Sequence, residues 1–123
     1  MKIEKRRKEF IDYGKSRRGA DVYYRDSWEC DYFSLLGKCF GMMGIEFITL
    51  KGIPEENAKL REKYKDVIPG YYANKEHWIS VYLKTDELTE EEIKQLIDTS
   101  YQLVYQKLTK KEKLIVDEMN GKQ

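Results

Sequence analysis

Three short strand-like runs lie close together between residues 31 and 51, and only glycine-containing turns separate them. The runs read DYFSLL, KCFGMM and IEFITLK, with Gly37-Lys38 and Gly44 between them. Because glycine supplies the positive φ that tight hairpins need, the pattern predicts three consecutive antiparallel strands. Gly41, inside the second run, indicates a bulge or the close approach of another element. This meander constrains the fold most, since it requires a sheet built from neighbouring strands.

Helices are predicted on both sides of the meander. The stretch from Met1 to Arg18 has a sparse apolar stripe among many charges, and Gly19 lies just past its expected end. A second helix opens at Pro54, because proline is favoured in the first helical turn. Three residues of this helix are expected to face the sheet: Ala58, Leu60 and Tyr64.

The last helix has the clearest sequence signal. Thr89-x-x-Glu92 forms a capping box, in which each side chain satisfies a backbone N–H of the first turn. Lys107, Lys110 and Lys111 suit its C-terminal end. Whether LIVDEMNGKQ, after Lys113, extends this helix is left open. Its apolar stripe has helical spacing and comprises Ile93, Leu96, Ile97, Ser100, Tyr101, Val104 and Leu108.

Two further strands are expected between the second and third helices. Ile68-Pro69-Gly70 reads as a type II turn, and residues 78–83 alternate as a strand does. A short strand at Tyr71–Tyr72 is expected to pair with that strand through a turn near Asn74-Lys75. Residues 1–123 therefore predict one α+β domain, a two-layer sandwich in the order α-β-β-β-α-β-β-α. Its antiparallel sheet has about five strands, with helices on one face.

Charge narrows the possible functions. The chain has 23 basic and 22 acidic residues, a net charge of +1, which excludes a uniformly basic nucleic-acid binder. Residues 1–18 nevertheless hold eight basic and three acidic residues, a net +5, whereas residues 86–106 hold one basic and six acidic residues, a net −5. Whether one basic face exists is therefore a geometric question.

Reactive residues are few. The two cysteines, Cys30 and Cys39, are too far apart for a CxxC motif, and one histidine cannot complete a metal set, so no metal or cofactor is expected. No secretory signal or membrane span is recognisable, which predicts a cytoplasmic protein with reduced thiols. No nucleophile motif accompanies His77, and the protein is expected not to be an enzyme. It is expected to act as a monomer or weak dimer.

Several segments resemble the MmcQ/YjbR family of small bacterial proteins. The family's Lys-x-Phe is matched by Lys38 and Phe40, and its lysine after the third strand is matched by Lys51. The family's Pro-Phe-Gly motif before the first strand is missing, and that region reads VYYRDSWECD. The resemblance implies a sandwich similar to secretion chaperones or frataxin, and a function in DNA binding. The matching segments are LGKCFGMMG (36–44), ITLKGIPEENAKLREKY (48–64), VIPGYYANKEHWISVYL (67–83) and TSYQLVYQKL (99–108).

The first functional hypothesis is weak binding to the phosphate backbone of DNA. Hairpin turns would contribute lysines, the basic first helix would contribute further cations, and aromatic and imidazole groups near residue 77 would contact the nucleic acid. The same residues also have structural interpretations: a solvated helix face, a tight turn, and an aromatic ring covering the sheet edge. The candidate residues are Lys5, Arg6, Lys38, Lys51, Lys75, His77 and Trp78.

Two alternatives remain open at this point. A protein-interaction module would expose an aromatic patch of Trp78, Tyr82 and either Phe33 or Phe47 on the sheet. A small-ligand site would need a cavity with converging polar groups beside His77 and Trp78.

Overall fold

One antiparallel sheet of six strands and four helices make up the described part of the chain, in the order α-β-β-β-β-α-β-β-α-α. The computed structural model describes residues 2–70 and 74–119. The helices are α1 (Lys2–Lys15), α2 (Pro54–Lys63), α3 (Glu90–Gln106) and α4 (Lys110–Glu118). The strands are β1 (Ala20–Arg25), β2 (Cys30–Leu35), β3 (Lys38–Met43), β4 (Phe47–Lys51), β5 (Val67–Pro69) and β6 (Trp78–Tyr82).

The sheet has one strand more than expected, in the order β1-β2-β3-β4-β6-β5. The additional strand, β1, pairs with β2 along its whole length. It lies at the sheet edge with Tyr23 and Tyr24 exposed, so its sequence lacks the alternation of a half-buried strand. The predicted turn at residues 68–70 is wrong in part, because Val67–Pro69 forms a strand that pairs with β6. This strand lies at the other edge of the sheet, where a proline is tolerated. The strand predicted at Tyr71–Tyr72 lies outside the described residues.

The predicted meander is confirmed. Leu36 and Gly37 form the β2–β3 turn with φ of 49° and 80°, whereas the turn at Gly44 forms without a positive φ there. The pairing of β2 with β3 shifts register between Phe33 and Ser34, so the bulge indicated by Gly41 is present. A Cβ added to Gly41 would lie 3.0 Å from the Leu50 side chain, which shows how closely β4 packs there.

The helices cover one face of the sheet. The apolar stripe of α3 supplies much of the core, and Ile93, Ile97 and Val104 are buried against the inward side chains of the strands. In α2, Leu60 packs on this core as expected, but Ala58 is exposed. The buried residue of α2 is Asn57, whose side-chain amide donates to the Glu76 carbonyl (3.1 Å). A polar contact with a turn therefore fixes α2, and no apolar pattern predicts such a contact.

Capping boxes begin the last two helices. The Thr89–Glu92 box of α3 is present as predicted. The segment after residue 109 forms a separate helix, since Thr109 and Glu112 make a second box. This box places Lys110 and Lys111 in the first turn of α4 rather than at the C-terminal end of α3.

Candidate functional site

The basic first helix lies against the acidic start of α3, and ion pairs join the two segments. Lys2 pairs with Asp86, Arg6 with Glu90 and Arg17 with Asp98. In the opposite sense, Lys94 of α3 pairs with Glu9 of α1 (3.0 Å). The net charges of +5 and −5 that the sequence separates thus face each other and are neutralised in part within the fold.

Arg6 is a structural residue in this contact. It is 5% exposed, and its guanidinium donates to the carbonyls of Leu83 (2.8 Å) and Thr85 (2.7 Å) and to the Glu90 carboxylate (2.7 Å). A longer contact reaches the Leu88 carbonyl (3.5 Å). Because its donors are directed inward, Arg6 does not offer its charge to an external phosphate, which corrects its placement among the candidate contacts. The hydrogen bond from Arg6 also lowers the pKa of Glu90.

The same pairing shifts the ionisation of the neighbouring tyrosine. Tyr13 donates its hydroxyl to the Asp98 carboxylate (2.6 Å), and the Arg17 guanidinium lies 4.3 Å from the centre of the tyrosine ring. Burial, followed by the hydrogen bond to Asp98, raises the pKa of Tyr13 to about 12. This end of α1 is therefore held to α3 by a group that must remain protonated.

Three of the candidate lysines lie at one end of the sheet. β3 begins at Lys38, β4 ends at Lys51, and β6 begins directly after the turn that contains Lys75. Because β3, β4 and β6 are antiparallel neighbours, these three points lie side by side. The C-cap of α3, Lys107, reaches the same end, where the Ser100 hydroxyl donates to the Lys51 carbonyl (2.5 Å). We call Lys38, Lys51, Lys75 and Lys107 the lysine end.

Like charges are close together at the lysine end. Burial and the positive charge of Lys107 lower the pKa of Lys51. Within the described ranges, no ion pair joins Lys51, Lys75 or Lys107 to a carboxylate, whereas Lys38 pairs with Glu112 (3.0 Å). This pairing contributes, after the Thr109 backbone N–H, to lowering the pKa of Glu112. An anion placed between Lys51 and Lys107 would reduce their repulsion.

Lys110 and Lys111 extend the lysine end, although the sequence predicted them at the C-terminal end of α3. Lys110 and Lys111 are exposed in the first turn of α4, next to the Glu112 that pairs with Lys38. Cations are unfavourable at a helix N-terminus, because the helix dipole is positive there. The signal that could have identified this position is the Thr109-x-x-Glu112 capping box.

The acidic first turn of α3 lies far from this end. The 17 residues of α3 span about 25 Å, and its first turn meets Arg6 at the opposite end of the sheet. Lys5 is exposed on α1, whose first turns lie at that opposite end. The structure therefore separates the candidates from α1 and those at the hairpin turns into two groups.

The segment around His77 forms a tight turn. The Asn74 side chain accepts hydrogen bonds from the backbone N–H groups of Glu76 (2.9 Å) and His77 (3.1 Å), so the predicted turn is confirmed. The His77 side chain is exposed. Trp78 is half-buried, and a Cβ added to Gly70 would lie 2.5 Å from the Trp78 Cβ, which fits a packing role. His77 and Trp78 line neither of the two large cavities.

The sheet face opposite the helices bears an aromatic groove. Phe47 and Tyr82 are half-buried there with ring centres 4.6 Å apart, whereas Phe33 is fully buried on the helix side and cannot belong to an exposed patch. Beside Phe47, a cavity of about 600 Å³ opens under the β1–β2 loop. We call it the open-face groove; it is lined by residues 27–30, Met42, residues 44–47 and Thr49.

A second cleft, of about 490 Å³, lies between the end of α1, α3 and α4. Its acidic residues already have partners: Asp98 binds Arg17, and Asp117 accepts the Tyr105 hydroxyl (2.7 Å). Tyr101 donates its hydroxyl to the Arg18 carbonyl (2.5 Å) on the same wall. The polar groups of this cleft thus stabilise the helix junction.

Both cysteines are free thiols, and burial raises the pKa of Cys30 and Cys39. Among the described residues, no group of three or more His, Cys, Asp or Glu side chains is arranged to hold a metal ion. In the same part of the chain, no helix has the length and apolar character needed to cross a membrane.

Comparisons with known proteins agree on one family. The family model described as YjbR matches residues 19–103. The chain is 38% identical over 88 residues to the uncharacterized protein YbdF of Escherichia coli O157:H7, covering 68% of this chain and 71% of the relative. It is 31% identical over 113 residues to the uncharacterized protein YjbR of Escherichia coli K12, covering 88% and 95% of the two chains.

Solved structures share the fold. Protein DR2400 of Deinococcus radiodurans superposes with a TM-score of 0.80 at 25% identity, covering 89% of this chain and 86% of that chain. A protein from Pseudomonas syringae gives a TM-score of 0.66 at 30% identity, covering 79% and 97%. The residues matched by the family model include Lys38, Lys51 and Lys75 but not Lys107.

Proposed function

The chain belongs to the YjbR family, and from its lysine end we propose that it is a non-enzymatic protein that binds the phosphate backbone of DNA weakly. The observation that supports this most is the approach of Lys107 to Lys51, at the end of the sheet where β3 begins at Lys38. Lys75, in the adjoining turn, lies at the same end. The contact surface is thus the lysine end, extended by the start of α4, rather than the first helix.

The physical basis is phosphate neutralisation. Each phosphate neutralised by a lysine releases condensed counterions, so affinity depends steeply on salt and little on base sequence. The repulsion between Lys51 and Lys107 favours an anion between them. The helix dipole disfavours the positive charges of Lys110 and Lys111 in the first turn of α4, and a bound anion would offset this unfavourable interaction. A lysine ammonium is a flexible point charge without a fixed pattern of donors, so binding is expected to be non-specific.

A fluorescence anisotropy titration with a labelled DNA duplex tests the proposal. We expect a dissociation constant of about 10⁻⁶ to 10⁻⁴ M at about 150 mM salt, and tighter binding at about 50 mM salt. The variant Lys51→Ala/Lys107→Ala should bind more weakly, and the slope of log K against log salt should decrease in magnitude by about 2.

The matched control is Lys5→Ala/Lys65→Ala. It removes the same two charges from exposed positions, one on α1 and one in the segment after α2, both at the opposite end of the sheet. It should keep the affinity and the salt slope of the unmodified protein. Absence of binding at about 50 mM salt, or equal weakening by both double variants, would contradict the proposal.

A further inference from the structure

The open-face groove has the size and lining of a small-molecule site. Its volume of about 600 Å³ is typical of cavities that hold one drug-sized ligand. A stable protein interface needs roughly 20 to 30 residues on each side, and this groove presents far fewer. A single small molecule therefore fits the groove better than a protein partner does.

The lining supplies an apolar surface that the fold leaves in contact with water. Ile45 is 83% exposed and Trp28 is 53% exposed, while Met42 and Phe47 are half-buried between them. Residues of this size at such exposures, converging on one cavity, leave apolar area that a ligand could bury. The groove thus favours an apolar body in its occupant.

The walls of the groove are held in place. The Arg25 guanidinium stacks on the Trp28 ring (4.7 Å) and on the Tyr32 ring (4.8 Å), which fixes the indole. The Gly44 end of the groove is held by Arg7 of α1, which donates to the Gly44 carbonyl at the β3–β4 turn and to Asp31 (2.9 Å). A preformed groove of this kind loses little conformational entropy when it binds a ligand.

The charges that line the groove are both negative. They belong to Glu29 and Glu46, and in the part of the chain that is described neither makes an ion pair. The nearby cations have other partners, since Arg7 binds Gly44 and Asp31, and Arg25 stacks on two rings. An occupant with a positive charge would therefore meet two carboxylates without displacing an existing partner.

Glu29 also occupies a position that suits glycine. Its φ of 50° lies in the left-handed region, at the end of the four-residue loop between β1 and β2. A glutamate there is strained, and its side chain makes no hydrogen bond within the described chain that would explain its presence. The Glu29 carboxylate is therefore exposed at the groove and is not engaged by the described part of the chain.

We propose that the open-face groove binds a small amphipathic amine, with its apolar body against Trp28, Met42 and Phe47 and its ammonium between Glu29 and Glu46. This site lies on the open sheet face and does not depend on the lysine end. Its failure and that of the proposed DNA binding are therefore separately measurable.

An NMR titration with matched probes tests this site. 4-Phenylbutylamine and 4-phenylbutyrate share an apolar body and differ in the sign of their charge. The amine should shift the backbone amide signals of residues 27–30 and 42–47 saturably. Its dissociation constant should be at least about tenfold lower than that of the carboxylate, because the carboxylates of the groove attract one probe and repel the other.

Variants locate the charge effect. Glu29→Gln/Glu46→Gln keeps the side-chain shapes and should abolish the preference for the amine, whereas Glu55→Gln/Glu62→Gln removes two exposed charges from α2 and should preserve it. Equal binding of both probes, shifts confined to other residues, or no saturable shift up to about 10 mM amine would each overturn the proposal.

Discussion

Replacing Arg6 by alanine should destabilise the protein more than the same change at any other charged residue of α1. The substitution removes the donors that satisfy the Leu83 and Thr85 carbonyls at 2.8 and 2.7 Å, and it leaves Glu90 without its guanidinium partner. Hydrogen bonds from a charged group contribute about 1.5 to 3 kcal/mol each, and an unsatisfied buried acceptor costs about 1 to 3 kcal/mol. The Glu90 side chain is 39% exposed, so its share is at most about 1 kcal/mol.

Taken together, these contributions predict a loss of about 3 to 5 kcal/mol in the free energy of unfolding. Urea denaturation followed by tryptophan fluorescence and circular dichroism would measure it. With an m-value of about 1 to 3 kcal/mol per molar, the midpoint should fall by at least about 1 M. Arg6→Lys should lose an intermediate amount, because one ammonium cannot reach both carbonyls and the carboxylate in the same geometry.

The control is Lys5→Ala, one residue earlier on the exposed side of the same helix. It should change the free energy of unfolding by no more than about 0.5 kcal/mol. If Arg6→Ala lost less than about 1 kcal/mol with an unchanged m-value, the guanidinium would not be satisfying these carbonyls, and the reasoning would be refuted.

Three further changes test other contacts. The raised pKa of Tyr13 predicts a contribution to stability that is fully present below about pH 10 and is lost as the pH rises towards about 12. In urea unfolding, the free energy of unfolding of Tyr13→Phe should therefore decrease less between about pH 9 and pH 11 than that of the unmodified protein. Gly14→Ala should destabilise by about 1 to 2 kcal/mol, although alanine favours helices, because its Cβ would lie 2.6 Å from the buried Phe33 ring; a gain in melting temperature would contradict this contact. Thr109→Ala should remove the cap of α4 and cost about 1 kcal/mol in thermal unfolding, whereas the neighbouring Lys110→Ala should not.

Local patterns in the sequence were sufficient to predict the meander and the third helix. The hairpin at Gly37 and the capping box at Thr89 depend on residues at most a few positions apart, and both are present. The second box, at Thr109, has the same spacing and could have been read in the same way. β1 and β5 escaped prediction because edge strands bury too little on one face to show alternation, and β5 also contains Pro69.

The candidate site was predictable only in part. An antiparallel meander brings alternate turns to the same end, so the grouping of Lys38 with Lys51 follows from the strand order. The role of Arg6 does not follow from the strand order, because its partners lie 77 to 84 residues away in the sequence. These partners are determined by how α1 crosses the sheet. The open-face groove depends on how the β1–β2 loop lies over the sheet, which no periodicity describes.

The contact between α1 and α3 also has a consequence for how the chain folds. β1 to β4 pair with near neighbours in sequence, whereas the partners of Arg6 lie 77 or more residues further along the chain. At about 5 to 20 residues per second, the ribosome adds those partners roughly 4 to 17 s after Arg6 has been made. A charged 14-residue helix is marginal in isolation. α1 is therefore expected to be among the last elements to become ordered, docking once α3 has formed.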